Sequence, residues 1–256
     1  MMPKSFALLL CALLLAGPSL AQKLAIAAAA DLKFAMDDIV SAFKADQPNS
    51  EVNVSYGSSG KFQTQIQQGA PYDLYFSADS ALAHDLVRSG FAASPVKAYA
   101  LGRLVLWSAS QDATQMTLAS LTATRITRIA IANPKHAPYG QRAEQALRAS
   151  GLWDQVKHKL VYGENIAQTA QFVQTGNAQV GIIALALAVH PELARQGGYW
   201  LLPRTLHTPL EQGFIVTRRA ADNSLAQRFA DFMATAPARA VLLRYGFELP
   251  GDSASR

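Results

Sequence analysis

The 256-residue chain has a single cysteine, Cys11, and it lies within an N-terminal apolar stretch. No disulfide can form within the chain, and no thiolate remains for a metal or substrate once that stretch is removed. Past residue 21 no apolar run approaches the roughly 20 residues needed to cross a bilayer. The longest, Val180 to Val189, reads as a buried strand running into a helix. Charge is sparse as well: only 16% of residues are charged, and the net +5 is carried by single Lys and Arg residues interleaved with acids. Such a distribution suits solubility and offers no basic stripe to nucleic acid.

Motifs for common chemistries are also missing. Gly57-Ser58-Ser59-Gly60-Lys61 is too short for a nucleotide phosphate loop, and Phe62 stands where a metal-binding Ser or Thr belongs. Ser59 lies outside any Gly-x-Ser-x-Gly elbow. His84, His136, His158, His190 and His207 show no local pairing that marks a base or a metal site; all five read as surface residues, His136 and His190 each near a proline in a turn. A spatial triad around Ser59 stays open, which keeps a secreted α/β hydrolase as an alternative of a different class.

What is present begins with an export signal. Met1 to Lys4 is short and positive, Phe6 to Gly17 is apolar but too short to span, and Ser19-Leu20-Ala21 places small residues at the cleavage-determining positions. Cleavage after Ala21 into the periplasm is expected, leaving about 235 residues, enough for one large domain or two modest ones. Cys11 follows Leu10 rather than a small residue, which argues against a lipid anchor.

Short apolar runs then alternate with helical patterns. Lys23 to Ala29 reads as a strand, and Leu32, Ala35, Met36, Ile39, Val40 and Phe43 recur at helical spacing. Strand Glu51 to Ser55, helix Lys61 to Gln68, strand Asp73 to Phe76 and helix Ser80 to Arg88 continue a parallel βα series. A second series opens with Leu104 to Trp107 and runs through Arg128 to Ala132, Tyr139 to Ala149, Asn165 to Gln174 and Gln179 to Ile183. After Gly197-Gly198 come strands at Tyr199 to Leu202 and Gly213 to Thr217, then helices near Ser224 to Ala234 and Pro237 to Leu243. The series are expected to join near residues 95–102 and again near 197–205.

The most informative run is Tyr56-Gly57-Ser58-Ser59-Gly60-Lys61-Phe62, where a strand hands over to an amphipathic helix. Glycines admit close backbone approach, serines add neutral hydroxyl donors, and a helix start aims unpaired N–H groups and a positive dipole end at one spot. An ordinary Ser/Gly helix cap would read the same way. Two further helix starts of similar design, Ala28-Ala29-Ala30-Asp31-Leu32 and Pro138-Tyr139-Gly140, tip the reading toward an anion.

In this order and spacing, the chain resembles the periplasmic molybdate-binding proteins, the solute receptors of molybdate ABC importers. The matching stretches are Ala28 to Leu32 with Ala35-Met36-Asp37-Asp38-Ile39, Gly57-Ser58-Ser59, Gly69 to Asp79, Asn133 to Gly140, Gly163-Glu164-Asn165-Ile166, Gly181-Ile182-Ile183 and Arg244-Tyr245-Gly246-Phe247. The resemblance implies an α/β fold of two lobes, type II-like, each a mainly parallel sheet flanked by helices, with residues 22–100 and 201–256 in the first lobe and 101–200 in the second. It implies a ligand, molybdate or tungstate, held in the cleft by neutral donors without cofactor, directly bound metal or catalysis. It also implies a monomer serving the permease and ATPase of an importer. Carried over residue by residue, the donors are the Ser59 hydroxyl and amide, Tyr139 through its amide and, as in a subset of the family, its hydroxyl, and the Ile166 backbone; the helix start adds the Asp31 backbone as a candidate, with Ser58, Lys33 and Lys61 as candidate neighbours.

The chain departs from that pattern twice. Ala184 stands where many relatives carry a tyrosine, and Tyr139 is a candidate substitute from across the cleft. Asp31 stands where a serine or asparagine is usual, and a carboxylate cannot donate unless protonated. At 4 Å from a dianion each charge pair would repel by roughly 4 kcal/mol at an effective dielectric near 20. Asp31 therefore either caps its own helix with its side chain turned away, or is neutralised by Lys33 or Lys61, or accepts the proton of an oxyanion such as hydrogen phosphate.

Overall fold

The computed structural model describes residues 22–251. The expected export signal, residues 1–21, lies outside them. Along the chain come β1 (Gln22–Ala29), α1 (Lys33–Asp46), β2 (Ser50–Gly57), α2 (Ser59–Gln67), β3 (Leu74–Ser77), α3 (Ser80–Arg88) and β4 (Lys97–Gly102). There follow β5 (Leu104–Trp107), β6 (Ile129–Ala132), α4 (Pro138–Ala149), α5 (Trp153–Val156), β7 (Leu160–Gly163), α6 (Ile166–Gln174) and β8 (Val180–Ala184). The last elements are α7 (Leu185–Ala188), α8 (Pro191–Ala194), β9 (Tyr199–Leu201), β10 (Leu210–Val216), α9 (Ser224–Phe232) and α10 (Ala236–Arg244).

Two five-stranded sheets result, ordered β2-β1-β3-β10-β4 and β7-β6-β8-β5-β9. In the first, β2, β1 and β3 pair in parallel while β10 runs antiparallel to both its neighbours. The second repeats the plan with β5 as its reversed strand. The reversed strand is in each case the first to enter its sheet after the chain crosses over. Four strands of five thus point one way in each sheet, so their helix-leading ends share an edge.

The strands are built for coverage on both faces. All four residues of β3, β5 and β6 and all five of β8 are buried, as continuous apolar runs in a helix-flanked sheet require. Helix α1 buries Ala35, Met36, Ile39, Val40 and Phe43 at helical spacing. Fully burying one Leu, Ile or Phe side chain contributes roughly 1.5–3 kcal/mol, so a core of this extent in each sheet sustains a lobe without disulfides.

The stretch expected to join the series, 95–102, is instead largely strand β4, and the chain passes between sheets at Arg103. Its Lys-Ala-Tyr-Ala-Leu-Gly sequence alternates too weakly to announce a strand, and pairing with β10 supplies the order. The return crossing lies between β9 and β10. Helices α9 and α10 pack on the first sheet, and Glu248 exchanges both backbone hydrogen bonds with Leu101 of β4. Among the described residues no helix is long and apolar enough to cross a membrane.

Candidate functional site

Four helix starts meet between the sheets. The chain turns from β1 into a short 3-10 helix at Ala30–Leu32, from β2 into α2, and from β7 into α6, and α4 begins at Pro138 after β6. Their first residues line one small cavity: Ala29, Ala30 and Asp31; Gly57, Ser58 and Ser59; Ala137, Pro138 and Tyr139; Asn165 and Ile166; and Ala78 after β3. The structure thus brings Asp31, Ser59, Tyr139 and Ile166 together, with Ser58 beside them. No Lys or Arg side chain is in the lining.

The donors that remain are neutral. Amides in a first helical turn have no partner within the helix, which applies to Ser59, Tyr139 and Ile166. Asn165, by contrast, caps α6 by accepting the amides of Ala167 and Gln168 at Oδ1. Ser59 is buried; its Oγ accepts the Ala78 amide at 3.0 Å and its carbonyl accepts the Tyr75 hydroxyl at 2.9 Å. The Ser59 hydroxyl proton is left for the cavity.

Asp31 does not cap its helix. The cap position belongs to Ala29, and no side chain bonds there. Instead the buried carboxylate accepts at Oδ2 from the Tyr139 hydroxyl, 2.9 Å, and from Gln212 Nε2, 2.7 Å. Tyr99 donates to Gln212 Oε1 at 2.6 Å, which turns the amide nitrogen toward Asp31. Burial and the nearby Asp31 charge hold the Tyr139 and Tyr99 hydroxyls well above their ordinary range, so both stay protonated and donate. Burial likewise raises Asp31 itself to about 6, against the hydrogen bonds of Gln212 and Tyr139 and the nearby amides of Asp31 and Leu32. The Tyr139 hydroxyl is therefore committed to Asp31.

The expected lysine neutralisation of Asp31 is not found. Lys33 lies over the rings of Phe34 and Tyr56, and Lys61 pairs with Glu164. Both are held at the rim by partners of their own.

Several residues at this site had no signal in the sequence. His136, expected on the surface, is mostly covered: its carbonyl accepts the Ser58 hydroxyl at 2.5 Å and the Gly60 amide at 3.0 Å, and its Nδ1 lies 2.9 Å from Ser58 Oγ. Arg142 of α4 reaches Asp79 at 2.7 Å, both largely buried. His190 stacks on Phe34 at 3.5 Å. Each contact joins an element of the first sheet to one of the second, as do Tyr139–Asp31 and Lys61–Glu164, so the two lobes are closed on one another. Gln212 lies in β10, Leu-Glu-Gln-Gly-Phe-Ile-Val, beside Glu211 and just before the Gly213 at which the strand was expected to begin, so its role was not marked in the sequence either.

Two α/β lobes closed over a small, cation-free cavity of helix starts define a binding protein whose ligand is taken between lobes. The chain matches the model for bacterial extracellular solute-binding proteins over residues 24–248 and belongs to that family. It is 37% identical over 237 residues to the molybdate-binding protein ModA of Azotobacter vinelandii, covering 92% of this chain and 94% of that one. To the molybdate-binding protein ModA of Rhodobacter capsulatus it is 34% identical, covering 91% of each. The solved structure of the Azotobacter vinelandii periplasmic molybdate-binding protein superposes with a TM-score of 0.81 at 32% identity, covering 89% of this chain and 99% of that one.

Proposed function

We propose that this chain is a periplasmic receptor that captures a tetrahedral oxyanion, molybdate or tungstate, and delivers it to the permease and ATPase of an ABC importer. The observation that carries the reading is the meeting of four helix starts on one cavity lined by no Lys or Arg side chain. The ligand would be held by the amides of Asp31, Ser59, Tyr139 and Ile166 and by the Ser59 hydroxyl, with Ser58 bracing the loop. Each charge-assisted bond contributes on the order of 1.5–3 kcal/mol, and donors on both lobes act together only when the lobes close. Occupancy then becomes a shape: the closed protein presents a surface composed from both lobes for the permease to read.

For this reading the first lobe is residues 22–102 with 203–251 in place of the expected 22–100 and 201–256, and the second is 103–202 in place of 101–200, since β4 ends at Gly102 and β9 at Leu201. All donors come from one chain, so a monomer suffices. The family resemblance supports this assignment over its alternatives. A hydrolase would need a base on Ser59, whereas Ser59 Oγ accepts a backbone amide and no histidine or carboxylate bonds to it among the described residues.

A thermal-shift panel of molybdate, tungstate, sulfate, phosphate and a chromogenic ester tests the assignment. A ligand at a hundred times its Kd stabilises by about 2.7 kcal/mol. Molybdate and tungstate should raise Tm at concentrations where sulfate and phosphate do not. A shift with phosphate alone would move the protein to another ligand class, and ester turnover lost in Ser59→Ala would make it an enzyme.

A further inference from the structure

Asp31 is a negative group in a cavity otherwise lined with donors, and half of its carboxylate is unaccounted for. Oδ2 is saturated by Tyr139 and Gln212. Oδ1 is buried and makes no hydrogen bond, the amides of Asp31 and Leu32 lying near the carboxylate without reaching it in bonding geometry. A buried polar atom without a partner calls for an explanation, and no cation supplies one. Of the elements packed on the 3-10 helix that carries Asp31, α6 and α7 have no titratable side chain. Tyr56 of β2 donates to Asp37, and Lys33 of α1 lies over two rings. Tyr139 and Tyr99, the tyrosines that the Gln212 amide links to Asp31, are neutral.

Resting on the oxyanion reading above, we infer that Asp31 is a ligand-contacting specificity residue that is neutral in the loaded protein: a proton on Oδ1 is donated to an oxyanion oxygen while Oδ2 continues to accept from Tyr139 and Gln212. The proton comes from solvent as the anion enters. A carboxylic acid then meets every hydrogen-bonding demand at this position, and the repulsion that an ionised carboxylate would exert on a dianion is removed. Burial moves the carboxyl toward this form, raising its value to about 6. Binding is consequently linked to uptake of one proton, and above the free protein's value each further pH unit weakens binding by about tenfold. An asparagine would perform the same two tasks without a proton, its Nδ2 facing the anion and its Oδ1 facing Tyr139 and Gln212.

The test is calorimetry of sodium molybdate into the full mature protein and into Asp31→Asn at pH 6, 7 and 8, each in two buffers of different ionisation enthalpy. Wild type should take up close to one proton per molybdate at pH 8, seen as buffer-dependent heat, and its Kd should rise about tenfold from pH 7 to pH 8. Asp31→Asn should show no proton uptake, no pH trend, and tighter binding than wild type at pH 8. A wild-type Kd that is flat from pH 6 to 8 with buffer-independent heat overturns the inference and leaves the oxyanion reading standing. Proton uptake that persists in Asp31→Asn also overturns it, by placing the proton elsewhere, such as on His136 beside Ser58. Failure of wild type to bind molybdate at pH 6 overturns the oxyanion reading, and this inference with it. Should Asp31→Asn not fold, the wild-type proton count and pH trend still decide.

Discussion

Ser59 accepts the Ala78 amide at its hydroxyl oxygen, so its proton is the one part of that side chain not committed within the protein. Ser59→Ala should keep the fold while leaving one anion oxygen unsatisfied, a loss of roughly 1–3 kcal/mol in molybdate affinity by calorimetry. Unchanged affinity would place the anion elsewhere. Asp31 also bears on the stability of the empty protein. Its folded value of about 6 lies above the ordinary 3.8, so the native state holds the proton more tightly than the unfolded chain does. Its contribution is full below the unfolded value and is lost as pH rises through the folded one. Two pH units correspond to on the order of 3 kcal/mol. Ligand-free Asp31→Asn should therefore gain Tm relative to wild type as pH rises from 4 to 8, and parallel melting curves across that range would refute the burial account of Asp31.

At the scale of elements, the helix starts proposed to hold the anion also clasp the opposite lobe. The Gly60 amide of α2 donates to the His136 carbonyl, and a Cβ at Gly60 would come within 2.7 Å of that oxygen. Gly60→Ala should leave the ligand-free fold intact, since Ala is the better helix former by up to about 1 kcal/mol. Closure, however, meets the added methyl, and overpacking of this kind costs roughly 1–3 kcal/mol. Molybdate affinity should fall tenfold or more while the ligand-free Tm is held or raised; a fall in ligand-free Tm would mean that Gly60 serves folding instead. Arg142→Ala, which removes the Asp79 contact between lobes, should act on the dissociation rate more than on association, because the pair forms only once the lobes meet. Stopped-flow exchange resolves the two rates.

Much of this level was legible in the sequence. Continuous apolar runs such as Leu104 to Trp107 and the helical spacing of α1 reflect local periodicity, and the loop at Gly57 to Lys61 shows its chemistry in its composition. The Asp31, Gln212, Tyr99 and Tyr139 network was not legible, because it joins four elements up to 181 residues apart and no local pattern encodes such a meeting. The same limit hid the direction of β5 and β10, since alternation and hydrophobicity carry no strand polarity.

At the scale of the molecule, the fold is a pair of matching sheets crossed by the chain at Arg103 and again before Leu210. Arg103 and Arg204 both pair with Glu248 beside the first crossing, so the connection is braced while the cleft contacts remain free to part. Ligand should shift an open population toward the closed form described here, lowering the radius of gyration by solution scattering. Gly60→Ala should blunt that shift at equal ligand concentration.

The site proposed above places one oxyanion among the neutral donors of both lobes. Anomalous scattering at the molybdenum absorption edge, from crystals of the protein grown with molybdate, locates the metal atom itself. One peak per chain is expected, in the cavity between Ser59, Tyr139 and Ile166, with its oxygens in hydrogen-bond reach of those amides and of the Ser59 hydroxyl. A peak beside Lys33 or Lys61 at the rim, or none in the closed cleft, would contradict it.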